Sequence, residues 1–281
     1  MFNMYQIEIP YNFDKKLIDS LYAIDPEGLM YHAIYVPPFA DDYKSAKRYH
    51  VNVLQDFDMR VLLTQSRSDY EEHIAYIKDR YPSQLMLLLQ QPDLVISDEL
   101  LQYYIDLGFT KFCVNSKEQA KQIKNKSVEY EVICSIVHNV SKEELESDPE
   151  LDIFDAFVLP HCFNKDIDAI KSLPKSHQYI LLVNSDCSVH CKGEFHWLAD
   201  ERTEYSLPVP CPRTQFQHTW RDITRVRPMD LPVFLPYIHQ FKLLGRENPT
   251  ASIIRDVILY TTSFACLPNC EPDETLYIKE K

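Results

Sequence analysis

The chain has 281 residues, of which 45% are hydrophobic and 25% charged, a composition typical of a globular protein with one barrel-sized domain or two smaller ones. Its formal net charge of -13 opposes binding to polyphosphate, and no run of Lys or Arg provides a basic patch. We therefore expect no nucleic-acid partner. With four glycines in all, the chain has no Gly-rich phosphate loop.

The N-terminus lacks the basic start and apolar core of a signal peptide, and no uninterrupted apolar stretch is long enough to span a bilayer. These features predict a cytoplasmic protein with no membrane span. In a reducing compartment the eight cysteines are thiols rather than disulfides.

Short apolar runs alternate with amphipathic runs along the chain. The apolar runs predict nine strands: Tyr5–Ile9, Tyr31–Val36, Val61–Gln65, Leu85–Gln90, Lys111–Asn115, Glu131–Val137, Phe157–Pro160, Ile180–Asn184 and Phe241–Leu244. Because a barrel has eight positions, one of the nine is misread or accessory. The first suspects are Val61–Gln65 and Tyr31–Val36.

Amphipathic segments between the strands begin with helix-start signals. Capping-box spacing occurs three times: Ser68 with Glu71, Ser116 with Gln119, and Ser141 with Glu144. Ser97 and Gly108 bracket another helix, and Pro249 suits the first turn of the last one.

Repeated strand–helix units predict an α/β protein with a parallel sheet covered by helices. A TIM-type (β/α)8 barrel is the first choice, and an open doubly wound sheet is the second. We expect residues 1–270 to form a single domain, followed by a solvated tail over 271–281. A long Cys/Pro/His-rich insertion over 192–236, between the last two strands, would lie over the C-terminal face, where barrels keep their active sites.

Three cysteines follow the apolar run Tyr179–Asn184. Cys187 and Cys191 come directly after it, and Cys211 lies in the Pro-rich stretch beyond. Thiols that emerge together from a strand end, without secretory features, indicate a metal or cluster site more than disulfides. Because thiolates are the ligands of iron–sulfur clusters, such a cluster is the leading interpretation.

The fourth ligand of the cluster has no obvious place in the sequence. Cys266 or Cys270 could fold back from the C-terminus, and Cys266 is favoured because Cys270 lies nearer the predicted tail. A cluster with three Cys ligands and an open iron is the alternative. Structural zinc is the competing metal, because three histidines that suit it lie close by: His190, His196 and His218.

Other chemistry-bearing residues sit where strands should end. Lys242 and Arg246 bracket the final strand and its Gly turn, and Arg246 is suited either to an anionic substrate group or to an internal carboxylate such as Glu247 or Asp256. His161 follows another strand and would move protons near neutral pH. Arg246, Lys242 and His161 are the candidate catalytic residues.

The remaining cysteines carry less functional signal. Cys113 and Cys134 alternate within predicted strands, where a buried Cys behaves as a small apolar residue. Cys162, beside His161 at a strand end, is ambiguous because barrel sites use this edge.

Four segments, in this order and spacing, resemble the peptidase U-32 (collagenase-like) family, and in particular its short single-barrel bacterial members. The segments are Ile9-Pro-Tyr-Asn-Phe-Asp14, Leu182-Val-Asn-Ser-Asp-Cys-Ser-Val-His-Cys191, Arg227-Pro-Met-Asp-Leu231, and Phe241-Lys-Leu-Leu-Gly-Arg246 with Pro249, Thr250 and Arg255. The last resembles the family's "Phe-Lys-Ile-Ala-Gly-Arg" strand and is the most specific. The chain lacks the "Glu-x-Phe-x-His-Gly-Ala" segment of the longer, peptidase-labelled members.

The resemblance implies a TIM-type barrel and, as in several members, a four-iron, four-sulfur (4Fe-4S) cluster held by four Cys. Those members are linked to oxygen-independent hydroxylation of ubiquinone precursors or RNA bases. The leading hypothesis is therefore an oxidoreductase that modifies a small or ring-containing substrate, with an electron donor or a related family subunit as partner. The alternatives are a peptidase and a non-catalytic, cluster-bearing subunit of a heterodimer.

Overall fold

A computed structural model of the chain describes residues 5–39, 42, 66–89, 95–185, 223–238, 240–246, 248–266 and 273–278, with the backbone alone for 262–266. These residues form a closed barrel of eight parallel strands, each followed by a helix. The predicted α/β fold, a TIM-type (β/α)8 barrel, is confirmed.

The strands follow chain order around the ring, and the last pairs with the first. They are β1 (Gln6–Pro10), β2 (Tyr31–Val36), β3 (Leu85–Leu89), β4 (Lys111–Val114), β5 (Glu131–Cys134), β6 (Ala156–Val158), β7 (Gln178–Leu182) and β8 (Gln240–Lys242). Tyr31–Val36 is thus a barrel strand. The ring closes without Val61–Gln65, which lies outside the described residues.

In the described part of the chain, a helix follows each strand. They are α1 (Lys15–Ile24), α2 (Arg67–Arg80), α3 (Asp98–Leu107), α4 (Lys117–Lys126), α5 (Lys142–Ser147), α6 (Ile167–Lys171), α7 (Leu231–Phe234) and α8 (Thr250–Cys266). Short 3-10 turns occupy Ile136–His138, Pro149–Ile153, His161–Lys165, Pro228–Asp230 and Glu274–Tyr277.

Most of the predicted helix starts are where the sequence placed them. Ser141 and Glu144 form a reciprocal capping box, and Ser97 caps α3, which ends at Gly108 in the left-handed conformation. The start of α2 was predicted two residues too late. Ser66 caps this helix, because its extended backbone lets its hydroxyl accept from the backbone N–H of Asp69.

The core has two layers, one on each side of the strands. Alternate strand residues face outward against the helices and form the larger cluster, which includes Ile9, Leu87 and Phe112. The others fill the barrel interior: Ala33, Tyr35, Met86, Leu88, Cys113, Ile133, Ala156, Val158 and Ile180. The interior is therefore packed with side chains, as in other barrels of this size.

Two segments predicted to be irregular are packed against the barrel. Within the predicted insertion, residues 223–236 carry a 3-10 turn and α7, and Val226 and Phe234 are fully buried. Within the predicted solvated tail, Tyr277 is fully buried and its hydroxyl bonds to Asp230. Tyr277 is therefore not solvated, because its ring and its hydroxyl both find partners on the barrel, whereas Glu274, Thr275 and Ile278 around it are exposed.

Replacing Phe112 with Ala tests the outer core layer. The ring is fully buried in β4 and meets Tyr130 edge to face, with ring centroids 5.8 Å apart. Loss of the ring should lower the free energy of unfolding by about 3–5 kcal/mol. Val128→Ala is the matched control, since Val128 is 76% exposed and the change should stay within about 0.5 kcal/mol in urea unfolding. Equal effects of the two substitutions would contradict this packing.

Candidate functional site

The residues on the two sides of the cysteine-bearing segment pair with each other at the C-terminal end of β7. The Val226 N–H donates to the carbonyl of Val183 over 2.9 Å, and the Thr224 hydroxyl donates to the carbonyl of Ser185 over 2.9 Å. Residues 183–185 and 223–226 thus form a paired stem. Cys187, Cys191 and Cys211 belong to the intervening segment 186–222, which lies outside the described residues.

Buried side chains anchor this stem in the barrel. From the turn after β6, the fully buried Asn164 side chain donates to the carbonyls of Leu182 and Thr224. From α8, the Tyr260 hydroxyl lies 3.0 Å from the carbonyl of Val183 and 2.7 Å from that of Val226. Because unpaired carbonyls would be costly at these buried positions, the stem is a fixed part of the fold.

Asn184 joins the ends of β7 and β8. Its side-chain amide donates to the Leu244 carbonyl over 3.0 Å and to Asp256 over 2.9 Å, while its oxygen accepts from the Leu244 N–H. Asp256 also accepts from Arg255. Arg246 follows Gly245 at this same end of β8 and is half-buried, so it lies on the predicted C-terminal face.

Lys242, a predicted catalytic residue, makes its contacts inside the barrel. It ends β8 inside the barrel and is 3% exposed. Its ammonium pairs with the carboxylate of Glu8 and lies 4.1 Å from the centroid of the Tyr35 ring. Both contacts suit a cation that has been removed from water.

The Glu8–Lys242 pair is one end of a network of five ionisable side chains across the barrel interior, which we call the interior charge network. His32 Nδ1 lies 3.3 Å from Glu8 Oε1, and His32 Nε2 lies 2.8 Å from Glu131 Oε1. Lys111 then donates to the other oxygen of Glu131 over 2.8 Å. The charges of the interior charge network therefore alternate in sign from the partly exposed Lys111, at the N-terminal end of β4, to the buried Lys242.

A register shift between β1 and β2 places His32 in the interior charge network. Ile7 is opposite Tyr31, but Glu8 is opposite Ala33, so His32 is an extra residue in β2. Such a bulge changes which way a side chain points. Here His32 reaches the interior carboxylates although Ala33, its neighbour, also belongs to the interior cluster.

Contacts within the interior charge network set the charge states of its two carboxylates, Glu8 and Glu131. Burial alone would raise the pKa of the Glu8 carboxyl, but Lys242 and His32 outweigh burial and hold that pKa below its ordinary value. Burial likewise opposes ionisation of Glu131, yet His32 and Lys111 lower its pKa to about 2. Both carboxylates are therefore ionised at neutral pH.

Sequence reasoning missed Glu8, His32 and Glu131. A signal was present for one of them, since Glu8 lies between Ile7 and Ile9 in a strand-like apolar run, where an unpaired charge is costly. His32 carried no such signal, because the extra residue of a bulge is visible only once the strands are paired.

The other predicted site residues are distributed around the barrel. His161 begins the 3-10 turn after β6, on the C-terminal face, and Cys162 beside it is exposed. Cys113 and Cys134 are buried in β4 and β5, and burial raises the pKa of the Cys134 thiol, which suits a packing role. Within the described ranges, no three His, Cys, Asp or Glu side chains are grouped so as to hold a metal ion.

Cys266 ends α8, and its side chain lies outside the described part of the structure. The helix begins at the C-terminal face, where the Thr250 hydroxyl donates to Asp14 over 2.6 Å. Its 17 residues then run about 24 Å along the barrel wall. This direction is unfavourable for a ligand at the C-terminal mouth, and the assignment of Cys266 stays a prediction.

The described helices include none that is both long and apolar enough to cross a lipid bilayer.

The described residues form a (β/α)8 barrel, and the stem lies at its C-terminal face. In enzymes of this fold, that face carries the active site. No family model matches the chain, and no curated protein matches it in sequence. Among solved structures, a U32 peptidase, Mk0906, is similar over 88% of this chain and 95% of its own, with a TM-score of 0.52 and 13% identity. The chain therefore shares the fold of a U32 peptidase.

Two other barrels match less well. Phosphonopyruvate hydrolase in complex with oxalate and Mg²⁺ has a TM-score of 0.46 and 12% identity, over 94% of this chain and 82% of its own. The carboxyl transferase domain of Rhizobium etli pyruvate carboxylase, with pyruvate, has a TM-score of 0.41 and 9% identity, over 98% of this chain and 51% of its own.

Replacing Glu8 with Gln tests the interior charge network. The change removes the negative charge between two buried cations, so the free energy of unfolding should fall by about 3–5 kcal/mol. The double variant Glu8→Gln/Lys242→Met removes one of those cations and should recover part of the loss. Urea unfolding of the three proteins measures both effects, and an additive double variant would show that the two residues do not interact.

The lowered pKa of Glu131 predicts an acid-dependent contribution to stability. A carboxylate whose pKa is depressed on folding stabilises the protein above its unfolded pKa of about 4.5, and this contribution is lost as the pH falls toward about 2. The difference in urea midpoint between the wild type and Glu131→Gln should therefore narrow from pH 5 to pH 3. A difference that stays constant over this range would count against the ion pairs of Glu131.

Proposed function

We propose that the chain is an iron–sulfur protein that holds a 4Fe-4S cluster with Cys187, Cys191 and Cys211 at the C-terminal mouth of the barrel. The observation that supports this is the stem at the end of β7. Cys187 is two residues beyond Ser185, so at about 3.8 Å per residue its Cα stays within about 8 Å of that position. Three thiolates in a segment bounded on both sides by the stem are a donor set that suits a cluster.

The fourth ligand in this proposal is Cys266 or Cys270, or the fourth iron is open. The direction of α8 weighs against Cys266, since the helix carries it away from the face where the stem lies. Cys270 is four residues further along and lies outside the described residues.

The reaction class that fits best is redox modification, of the oxygen-independent hydroxylation type, of a small or ring-containing substrate. The cluster, when bound, would supply one-electron chemistry. Arg246, at the C-terminal end of β8, would bind an anionic group of the substrate through its planar fork of donors. His161, after β6 on the same face, would move protons, and a separate electron donor or related subunit would be the partner.

Purification without air tests the cluster. We expect a brown protein with about four iron and four sulfide per chain, consistent with a 4Fe-4S cluster. Cys187→Ala, Cys191→Ala and Cys211→Ala should each lose most of the iron and the visible absorbance. Cys113→Ala and Cys134→Ala are matched controls, because these thiols are buried in β4 and β5 and should leave the iron content unchanged.

A colourless anaerobic protein without iron and sulfide would end the cluster proposal. If the same preparation holds one zinc that depends on these cysteines, structural zinc replaces it. Loss of iron on replacing Cys113 or Cys134, with Cys187 and Cys191 dispensable, would also overturn the ligand assignment.

Peptidase activity is the alternative function, and the shared fold with a U32 peptidase is the observation that favours it. The sequence contains no His-Glu-x-x-His motif, and its Ser and His residues show no nucleophile-elbow context. Cleavage of unstructured peptides that survives in the Cys187→Ala variant would favour this alternative over the redox proposal.

A further inference from the structure

His32 stands between two carboxylates in the barrel interior, and it is 6% exposed. One ring nitrogen is within hydrogen-bonding distance of Glu8 and the other of Glu131, at 3.3 and 2.8 Å. A neutral imidazole has one N–H and can donate to one of them, so the other carboxylate would face a lone pair. The protonated ring donates to both. The geometry therefore matches the imidazolium form.

The surroundings of His32 offer few other ways to balance these charges. Glu8 and Glu131 contact it directly from β1 and β5, and Lys242 and Lys111 lie beyond them on β8 and β4. The remaining titratable members of the interior cluster are Tyr35 and Cys113, and its other members are apolar. Without a proton on His32, one carboxylate loses a partner where little water is available to replace it.

We propose that His32 is a pH-operated link in the barrel interior, which couples the N-terminal face to Lys242 beneath the C-terminal face. In its protonated form it bridges Glu8 and Glu131, so that Glu8 divides its two oxygens between His32 and Lys242. When the proton leaves, one bridge breaks, and Glu8 is free to turn toward Lys242. This device is independent of the proposed cluster, because it uses residues of β1, β2, β4, β5 and β8 alone.

The direction of the titration follows from the contacts. Burial alone would lower the pKa of His32, but its hydrogen bonds to Glu131 and Glu8 outweigh burial and raise the pKa above its ordinary 6.5. A group whose pKa is raised on folding stabilises the protein fully below the unfolded value, and the contribution is lost as the pH rises through the folded value. The bridge is therefore closed at pH values below the raised pKa of His32, as long as Glu8 and Glu131 stay ionised, and it opens as the pH rises through that pKa.

Nuclear magnetic resonance of the full chain, labelled with ¹⁵N in histidine and ¹³C in lysine, tests the link directly. At pH 7 both ring nitrogens of His32 should carry protons, and their titration midpoint should lie above 6.5. The Cε signal of Lys242 should shift with that same midpoint. His32→Gln assigns the ring signals and should remove this step from the Lys242 titration, whereas His177→Gln, immediately before β7, should preserve it.

The wild-type spectra alone can overturn the proposal, even if the variant folds poorly. A single N–H on His32 at pH 7, or a midpoint at or below 6.5, would show that the ring is not the bridging cation. A Lys242 signal that does not follow His32 would show that the coupling is absent. Unfolding midpoints from pH 6 to 9 give a second measurement, since the alkaline loss of stability in wild type and His177→Gln should be missing in His32→Gln.

Discussion

The carboxylate of Glu8 is the constraint on which the rest of the barrel depends. It has no exposed surface, and a carboxylate in that position is stable only when it is paired. Its partners are Lys242 from the last strand and His32 from the second, so its two oxygens join the strands on either side of β1. The pairing of β8 with β1, which closes the ring, therefore also brings Lys242 to the Glu8 carboxylate and neutralises its charge. The bulge in β2 contributes too, because it brings His32 within reach.

The strands and helices were largely predictable from the sequence because each element carries its own local signal. Apolar runs such as Leu85–Leu89 fit a strand buried on both faces, and Ser141 with Glu144 announces a helix start. What the sequence could not show is pairing. The extra residue at His32 looks like part of a continuous strand, and Tyr277 looks like part of a polar tail until Asp230 is seen to accept its hydroxyl.

The candidate site was predictable in its location but less so in its detail. The C-terminal ends of all strands lie on one face of a parallel barrel, so the positions of His161, Arg246 and the paired stem follow from the fold. Lys242 was predicted to be catalytic, but its contacts could not be read from the sequence. It follows the alternation of side chains in β8 and turns inward, where it pairs with Glu8.

Backbone hydrogen bonds link the stem to the interior charge network at the point where β7, β8 and β1 lie side by side, which forms a joint between them. The Val183 N–H donates to the carbonyl of Lys242 over 3.0 Å, and the Leu243 N–H donates to the carbonyl of Glu8 over 2.9 Å. The residue that starts the stem and the two residues that form the buried ion pair are thus held by consecutive hydrogen bonds. In a packed interior of low polarity, charges act on each other more strongly than they do in water. The attraction between Glu8 and Lys242 therefore adds to the backbone hydrogen bonds that hold this joint together.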